Sequence, residues 1–407
     1  MSLWSHRDFR LLWAGDTVSQ FGAMVGQTAL PLLAVGTLAA TPFQMGALTA
    51  ANTAAFLLIG LPAGVWVDRL RRRPLMLTAD LVRAVLVLSV PLAWWAGALS
   101  LIQLLVVALL TGVCTVFFDV AYQSYLPALV GRDQLVEGNS KLQASQSVAQ
   151  ISGPALAGGL AQIAGAANAV LVTGLGYLGS ALFLLRIRVP EPEPERTGER
   201  RLAAEIAEGL RFVFGNRSLR AIIGCTGTSN FFSGVEAAVV ILFLTNRLGL
   251  SPGQIGALLS VGGVGGVLGA LTARRWTTKF GQARSIWLSM VLTQPFGLLV
   301  PSTGHGWWIG FAVIGYTAVG YGVIVYNIAQ VSFRQAICPE RLLGRMNASI
   351  RFVVWGTMPI GGLVGGLLGE WVGVLTTLWI SVVGMLLSCA FVVFSPLRKP
   401  VEGVVAA

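Results

Sequence analysis

Apolar runs long enough to cross a bilayer, about 20 residues each, recur near 10–37, 43–67, 74–96, 99–122, 140–164 and 167–186. A second set follows near 220–246, 253–274, 284–303, 307–332, 348–369 and 373–395. Hydrocarbon offers a backbone no water to bond, so runs of this length must satisfy their polar groups internally, as helices. The expected fold is an all-α membrane protein with twelve transmembrane helices. Composition agrees: 11% of the 407 residues are charged, where soluble domains carry about 25%, and the mean hydropathy is +0.75.

The net charge of +11 could suggest a nucleic-acid partner, but the positions of the 28 basic residues argue against one. Nearly all fall between alternate apolar runs, as expected if Lys and Arg stay on the cytoplasmic side. The connections after spans 1, 3, 5, 9 and 11 carry almost none, and Arg247 is the one basic residue expected outside. Both termini are then cytoplasmic, in a multi-pass cell-membrane protein. The first apolar stretch, Phe9 to about Leu38, is too long for the core of a cleavable signal and offers no plausible cleavage site. Cys114, Cys225, Cys338 and Cys389 are scattered in or beside apolar segments, so neither a disulfide framework nor a metal site is expected.

The two sets are repeats. Thr41-Pro42-x-Gln44-x-Gly46-Ala47-Leu48 returns as Ser251-Pro252-x-Gln254-x-Gly256-Ala257-Leu258, Phe118-Asp119-Val120-Ala121 as Tyr326-Asn327-Ile328-Ala329, and Asn139 as Asn347. Between them lies the one long hydrophilic stretch. It begins with the spacer Pro190-Glu-Pro-Glu-Pro-Glu and continues with Leu202, Ile206, Leu210 and Val213 at helical spacing. The expected domains are a six-helix bundle over 1–186, a linker over 187–219 whose amphipathic helix lies along the inner membrane surface, and a second bundle over 220–407.

Between spans 2 and 3 the chain reads Gly60-Leu-Pro-Ala-Gly64-Val-Trp-Val-Asp68-Arg69-Leu-Arg71-Arg72-Arg73-Pro74. Gly-x-x-x-Asp-Arg-x-x-Arg-Arg resembles the loop between helices 2 and 3 of the major facilitator superfamily of secondary transporters. Two parallel-oriented repeats of six helices suit that family's halves. The resemblance implies a latch of Gly64, Asp68, Arg69, Arg72, Arg73 and Arg351, in which the Asp68 carboxylate meets the positive, N-terminal end of helix 11 and holds the cytoplasmic side shut. In the second set Ala273 replaces Asp68, so the carboxylate acts in the first half alone. A plain topology anchor would need the arginines but not the acid.

In span 5, Gly153-Pro154-Ala155-Leu156-Ala157-Gly158-Gly159 resembles the Gly-Pro motif of exporting, proton-antiporting branches, represented by Gly153, Pro154 and Gly158. Ser140, Ala149 and Ala157 stand where that motif has further glycines. Bending and close packing alone account for the run equally well. Together with Arg7-Asp8-Phe9-Arg10-Leu11-Leu12-Trp13, Ala79-Asp80-Leu81-Val82-Arg83-Ala84, Phe118 to Gln123 and Glu208-Gly209-Leu210-Arg211-Phe212, it is similar to macrolide-efflux and enterobactin-exporter-like proton antiporters.

Ionisable residues in apolar spans are costly and hence functional candidates. Asp16 shares a helical face with Gln20 and Gln27. Thr226, Ser229, Ser233 and Glu236 form a second polar stripe, and Tyr316 and Asn327 face one way. The resemblance implies that helices 1, 4, 7 and 10 line a cavity. Asp16, Glu236 and Asp119 are then the proton-coupling candidates, and Gln20, Gln27, Phe118, Ser229, Asn230, Phe231, Ser233, Tyr316 and Asn327 the substrate-cavity candidates. Asp80 and Arg83, three apart, are expected to form a structural pair. Phe117, Phe118, Phe231 and Phe232 could stack on a hydrophobic substrate, though aromatic residues in membrane helices more often pack.

The function expected is proton-coupled export of amphipathic small molecules (drugs, antibiotics or siderophore-like metabolites) by alternating access. Protons and lipid are the other partners. No cofactor or metal is called for, and the unit is expected to be a monomer. A lipid or lysolipid translocator on the same scaffold, or a membrane receptor without flux, are the alternatives. The chain holds no Gly-x-x-x-x-Gly-Lys loop, so ATP hydrolysis within it is excluded, and an enzyme is not expected.

Overall fold

In the computed structural model, residues 3–131, 134–189, 202–339 and 342–398 are described, and every regular element among them is a helix. They divide into two compact units, residues 1–198 with 249–260, and residues 199–248 with 261–407.

The first unit contains α1 (Arg7–Leu38), α2 (Pro42–Asp68), α3 (Arg72–Trp95), α4 (Leu101–Val130), α5 (Leu135–Ala164) and α6 (Ala166–Leu185). α1 packs on α5 and α6, α2 on α4, and α3 on α4 and α6. Side-chain caps start several of these helices. His6 Nδ1 accepts from Phe9 N at 3.2 Å, and Ser100 Oγ accepts from Gln103 N at 3.3 Å. A core of Leu3, Phe9, Leu12, Met76, Phe118, Tyr125, Leu184 and Ile187, all buried, ties the short turn Leu3–Ser5 to α1, α3, α4 and α6.

The second unit contains α7 (Leu202–Gly215), α8 (Arg217–Leu242), α10 (Gln282–Thr293), α11 (Ile309–Ile337), α12 (Leu343–Trp355), α13 (Thr357–Trp371) and α14 (Val374–Val393). α9 (Pro252–Phe280) begins in the first unit and continues in the second. α8 packs on α13 and α14, and α10 on α11.

The repeated Thr/Ser-Pro-x-Gln sequence proves to be a helix start in both places. Thr41 Oγ1 accepts from Gln44 N at 3.4 Å while Gln44 Oε1 accepts from Thr41 N at 3.0 Å. Ser251 and Gln254 repeat this at 3.4 and 2.9 Å. Each is a capping box with Pro at the first helical position, where its missing N–H costs nothing.

Ten helices among the described residues are long and apolar enough to cross a membrane. The stretches expected as spans 5 and 9 are not among them. α5 has 30 residues but carries Glu137, Asn139, Ser140, Lys141, Gln143, Ser145, Gln146 and Ser147 in its first half, which lowers its hydropathy. α10 stops at Thr293 after 12 residues, because Gln294-Pro295 turns the chain into the 3-10 stretch Gln294–Leu299.

The linker helix forms where its periodicity placed it, while the spacer from Pro190 lies outside the described residues. Its apolar face meets protein rather than lipid at Val213, which is fully buried with Leu219, Ile223, Met346, Ile350 and Val354. Its Glu208 pairs with Arg345 of α12. At Gly209 a Cβ would meet Arg345 O at 2.7 Å, so only glycine permits this approach.

Candidate functional site

In the first unit, charged side chains of three helices converge inside the apolar layer. Asp16 on α1 is buried, with Gln20 one turn on beside its carboxyl. It also lies within electrostatic reach of Asp80 and Arg83 on α3 and Asp119 on α4. The expected Asp80–Arg83 ion pair forms, with both residues almost completely buried. The guanidinium carbon lies 4.5 Å from the Phe118 ring centroid and 4.4 Å from that of Tyr177, and Arg83 Nη1 donates to Thr115 Oγ1 at 3.3 Å. A buried charge needs this much compensation.

Phe118 is therefore a core residue and a seat for Arg83, stacked 6.1 Å from Tyr122. Phe117 stacks on Trp66 at 5.9 Å. Gln27, on the same face as Asp16, is exposed.

In the second unit, tyrosine hydroxyls of α11 bond to α8. Tyr316 Oη donates to Glu236 Oε1 at 3.3 Å, and Tyr326 Oη lies 2.6 Å from Thr226 Oγ1. Thus Glu236 and Tyr316, singled out on separate helices, come together. Asn230 Nδ2 donates to Val354 O at 3.1 Å, and Asn327 Oδ1 accepts from Gln330 Nε2 at 3.4 Å, so these two amides bond protein in this state. Ser229 and Ser233 are half-buried on α8. Phe231 and Phe232 make an edge contact at 5.1 Å.

The loop arginines divide in role. Arg73 Nε and Nη2 each donate at 2.9 Å to Leu184 O and Leu185 O, closing the carboxy end of α6, where a cation also meets the negative helix pole. Arg69 caps α2 and is exposed, Arg72 is half-buried, and Arg351 is exposed on α12. Gly64 and the Asp68 side chain lie outside the described residues.

In α5, Gly153 presses on Met24 of α1. Gly158 and Gly256 are in backbone contact, and a Cβ on either would overlap the carbonyl of Pro252 or Pro154. Ala155 N donates to Ser260 Oγ at 2.9 Å. Sequence reading assigned no role to the Glu208–Arg345 pair or to the aromatic clamp on Arg83. Their partners are far apart in the chain, and no local spacing could signal them.

A family model described as "Transmembrane secretion effector" matches residues 1–404. The multidrug efflux pump Tap of Mycolicibacterium fortuitum is 27% identical over 373 residues, covering 86% of this chain and 87% of that protein. Macrolide efflux protein A of Streptococcus pyogenes is 25% identical over 404 residues, covering 95% and 94%. Among solved structures, the nucleoside transporter NupG superposes with a TM-score of 0.79 at 12% identity, covering 97% of this chain and 99% of that one. A bacterial homologue of the iron transporter ferroportin in an inward-facing state gives 0.73 at 16% identity, covering 97% and 99%.

Proposed function

The chain belongs to the transmembrane secretion effector family of the major facilitator superfamily, and on that premise we propose that it exports amphipathic small molecules, drugs or antibiotics among them, in exchange for protons by alternating access. The observation that carries the reading is an acid on the first helix of each repeat inside an apolar span, Asp16 on α1 and Glu236 on α8, each beside a polar partner. Helix-forming apolar spans do not need carboxyls there, whereas an antiporter needs groups that can carry charge in one state and a proton in another. The names of the efflux relatives, Tap and macrolide efflux protein A, support a drug substrate.

In this reading twelve helices cross the cell membrane as two bundles with both termini in the cytoplasm, α5 and α10 with its 3-10 extension supplying the two spans of lower apolar content. Asp119 is a third proton-coupling candidate. Asp68 and the loop arginines of the first unit act as a cytoplasmic latch that favours one state of the cycle. The tight Gly158–Gly256 crossing supports a packing role for the helix-5 motif.

The test is transport of a panel of macrolides and cationic dyes into inverted vesicles, with and without an imposed pH gradient. Accumulation that collapses with the gradient is expected. Accumulation indifferent to the gradient would remove protons from the scheme, and no accumulation of any panel member would remove the substrate class.

A further inference from the structure

We propose that Arg83 is a positioning residue for proton handling, the fixed cation against which Asp16 of α1 and Asp119 of α4 compete with Asp80. The inference rests on the proton-coupled reading above.

The geometry gives Arg83 little freedom. Its guanidinium is held between two rings, paired to Asp80 on its own helix and bonded to Thr115 of α4. Asp80 from α3 pairs with it and the Tyr177 ring from α6 lies against it, while Asp16 from α1 and Asp119 and Cys114 from α4 lie within electrostatic reach. Three carboxyls thus lie within electrostatic reach of one clamped cation. If all were charged the site would carry an excess of two negative charges in low dielectric, a state of high energy. Binding a proton at one carboxyl relieves it, and the position of Arg83 decides which carboxyls stay charged.

The second repeat shows that the fold itself does not require the pair. Counted from the equivalent helix starts, Arg72 of α3 and Gln282 of α10, the positions of Asp80 and Arg83 fall on Met290 and Thr293, also buried. A purely architectural ion pair has no reason to be confined to one half.

The experiment measures the pH dependence of gradient-driven substrate uptake in proteoliposomes for wild type, Arg83→Gln, Asp80→Asn and Arg83→Lys, each checked for a monodisperse folded peak. Removing the cation makes the remaining carboxyls hold protons to higher pH, so the profile of Arg83→Gln should move alkaline by about one pH unit, the scale set by a neighbouring charge. Removing Asp80 leaves the whole of Arg83 to Asp16 and Asp119, so Asp80→Asn should move it acid. Arg83→Lys keeps the charge and should keep the midpoint. Whichever of the two neutral variants folds decides the matter by the sign of its shift, and if neither folds, a displaced midpoint in Arg83→Lys overturns the proposal and a retained one supports it. Wild-type dependence on pH with unmoved variants would make Arg83 structural. A wild type without pH dependence would instead sink the proton coupling on which the proposal stands.

Discussion

Glu236 on α8 accepts a hydrogen bond from Tyr316 Oη at 3.3 Å, and the exchange of that contact separates a carrier from a structural acid. Glu236→Gln keeps size and hydrogen-bonding capacity but not the exchangeable proton, so gradient-driven accumulation should be lost while downhill substrate exchange persists. Full accumulation in that variant would discard Glu236 as a carrier. Tyr316→Phe removes a bond whose net value is about 1 kcal/mol. It should lower affinity or rate by less than tenfold, read from the concentration dependence of uptake. A loss as complete as that of Glu236→Gln would make the tyrosine an obligate part of the relay. At this scale the sequence made the acids legible, because a carboxyl in an apolar run is conspicuous. It did not reveal that Arg83 lies between Phe118 and Tyr177, since nothing in a linear spacing joins α3 to α4 and α6.

Among the helices, the crossing of α5 with the start of α9 is the most sensitive to side-chain size. Neither Gly158 nor Gly256 leaves room for a Cβ, whereas Gly159 next door has nothing within 4 Å. Gly158→Val should therefore lower the melting temperature of purified protein, by the equivalent of about 1–3 kcal/mol of overpacking, while Gly159→Ala should be neutral or slightly stabilising within a helix. Equal melting temperatures for the two would refute the close crossing. The linker helix gives a second, smaller prediction. Glu208 and Arg345 are each about one-third exposed (36% and 32%), so Glu208→Lys should cost at most about 1 kcal/mol, yet should speed amide exchange in α7, and the swap Glu208→Lys/Arg345→Glu should reverse it. The element pattern explains what could be foreseen here. Strong periodicity marked α7, but amphipathicity alone cannot tell a lipid surface from a protein groove, and Val213 chose the groove. Likewise a Pro after Gln294 announced a break that run length had hidden.

Across the whole chain, the internal repeat was readable because its two capping boxes and its Phe-Asp/Tyr-Asn pair occupy the same structural positions in both sets, and identical local physics preserves identical residues. What differs between the repeats was less readable in advance: the first carries charge at Asp16, Asp80, Arg83 and Asp119, while the matching positions of the second, Thr226, Met290, Thr293 and Asn327, are uncharged. Such a division suits a chain whose halves share a fold but not a task, and it makes orientation testable. In a background with Cys114, Cys225, Cys338 and Cys389 replaced by Ser, single cysteines at Arg71 and Arg398 should react with a membrane-impermeant maleimide only after the cells are opened. Cysteines at Gly97 and Trp307, in connections that carry no Lys or Arg, should react in intact cells. Arg71 and Trp307 are both exposed, so burial cannot account for failure of either to label. If Arg71 labels from outside, or Trp307 only from inside, the orientation set by the arginines is inverted and export becomes import. If Gly97 and Trp307 disagree with each other, the number of crossings between them is odd where twelve spans require it to be even, and the assignment of α5 or α10 as a full crossing fails.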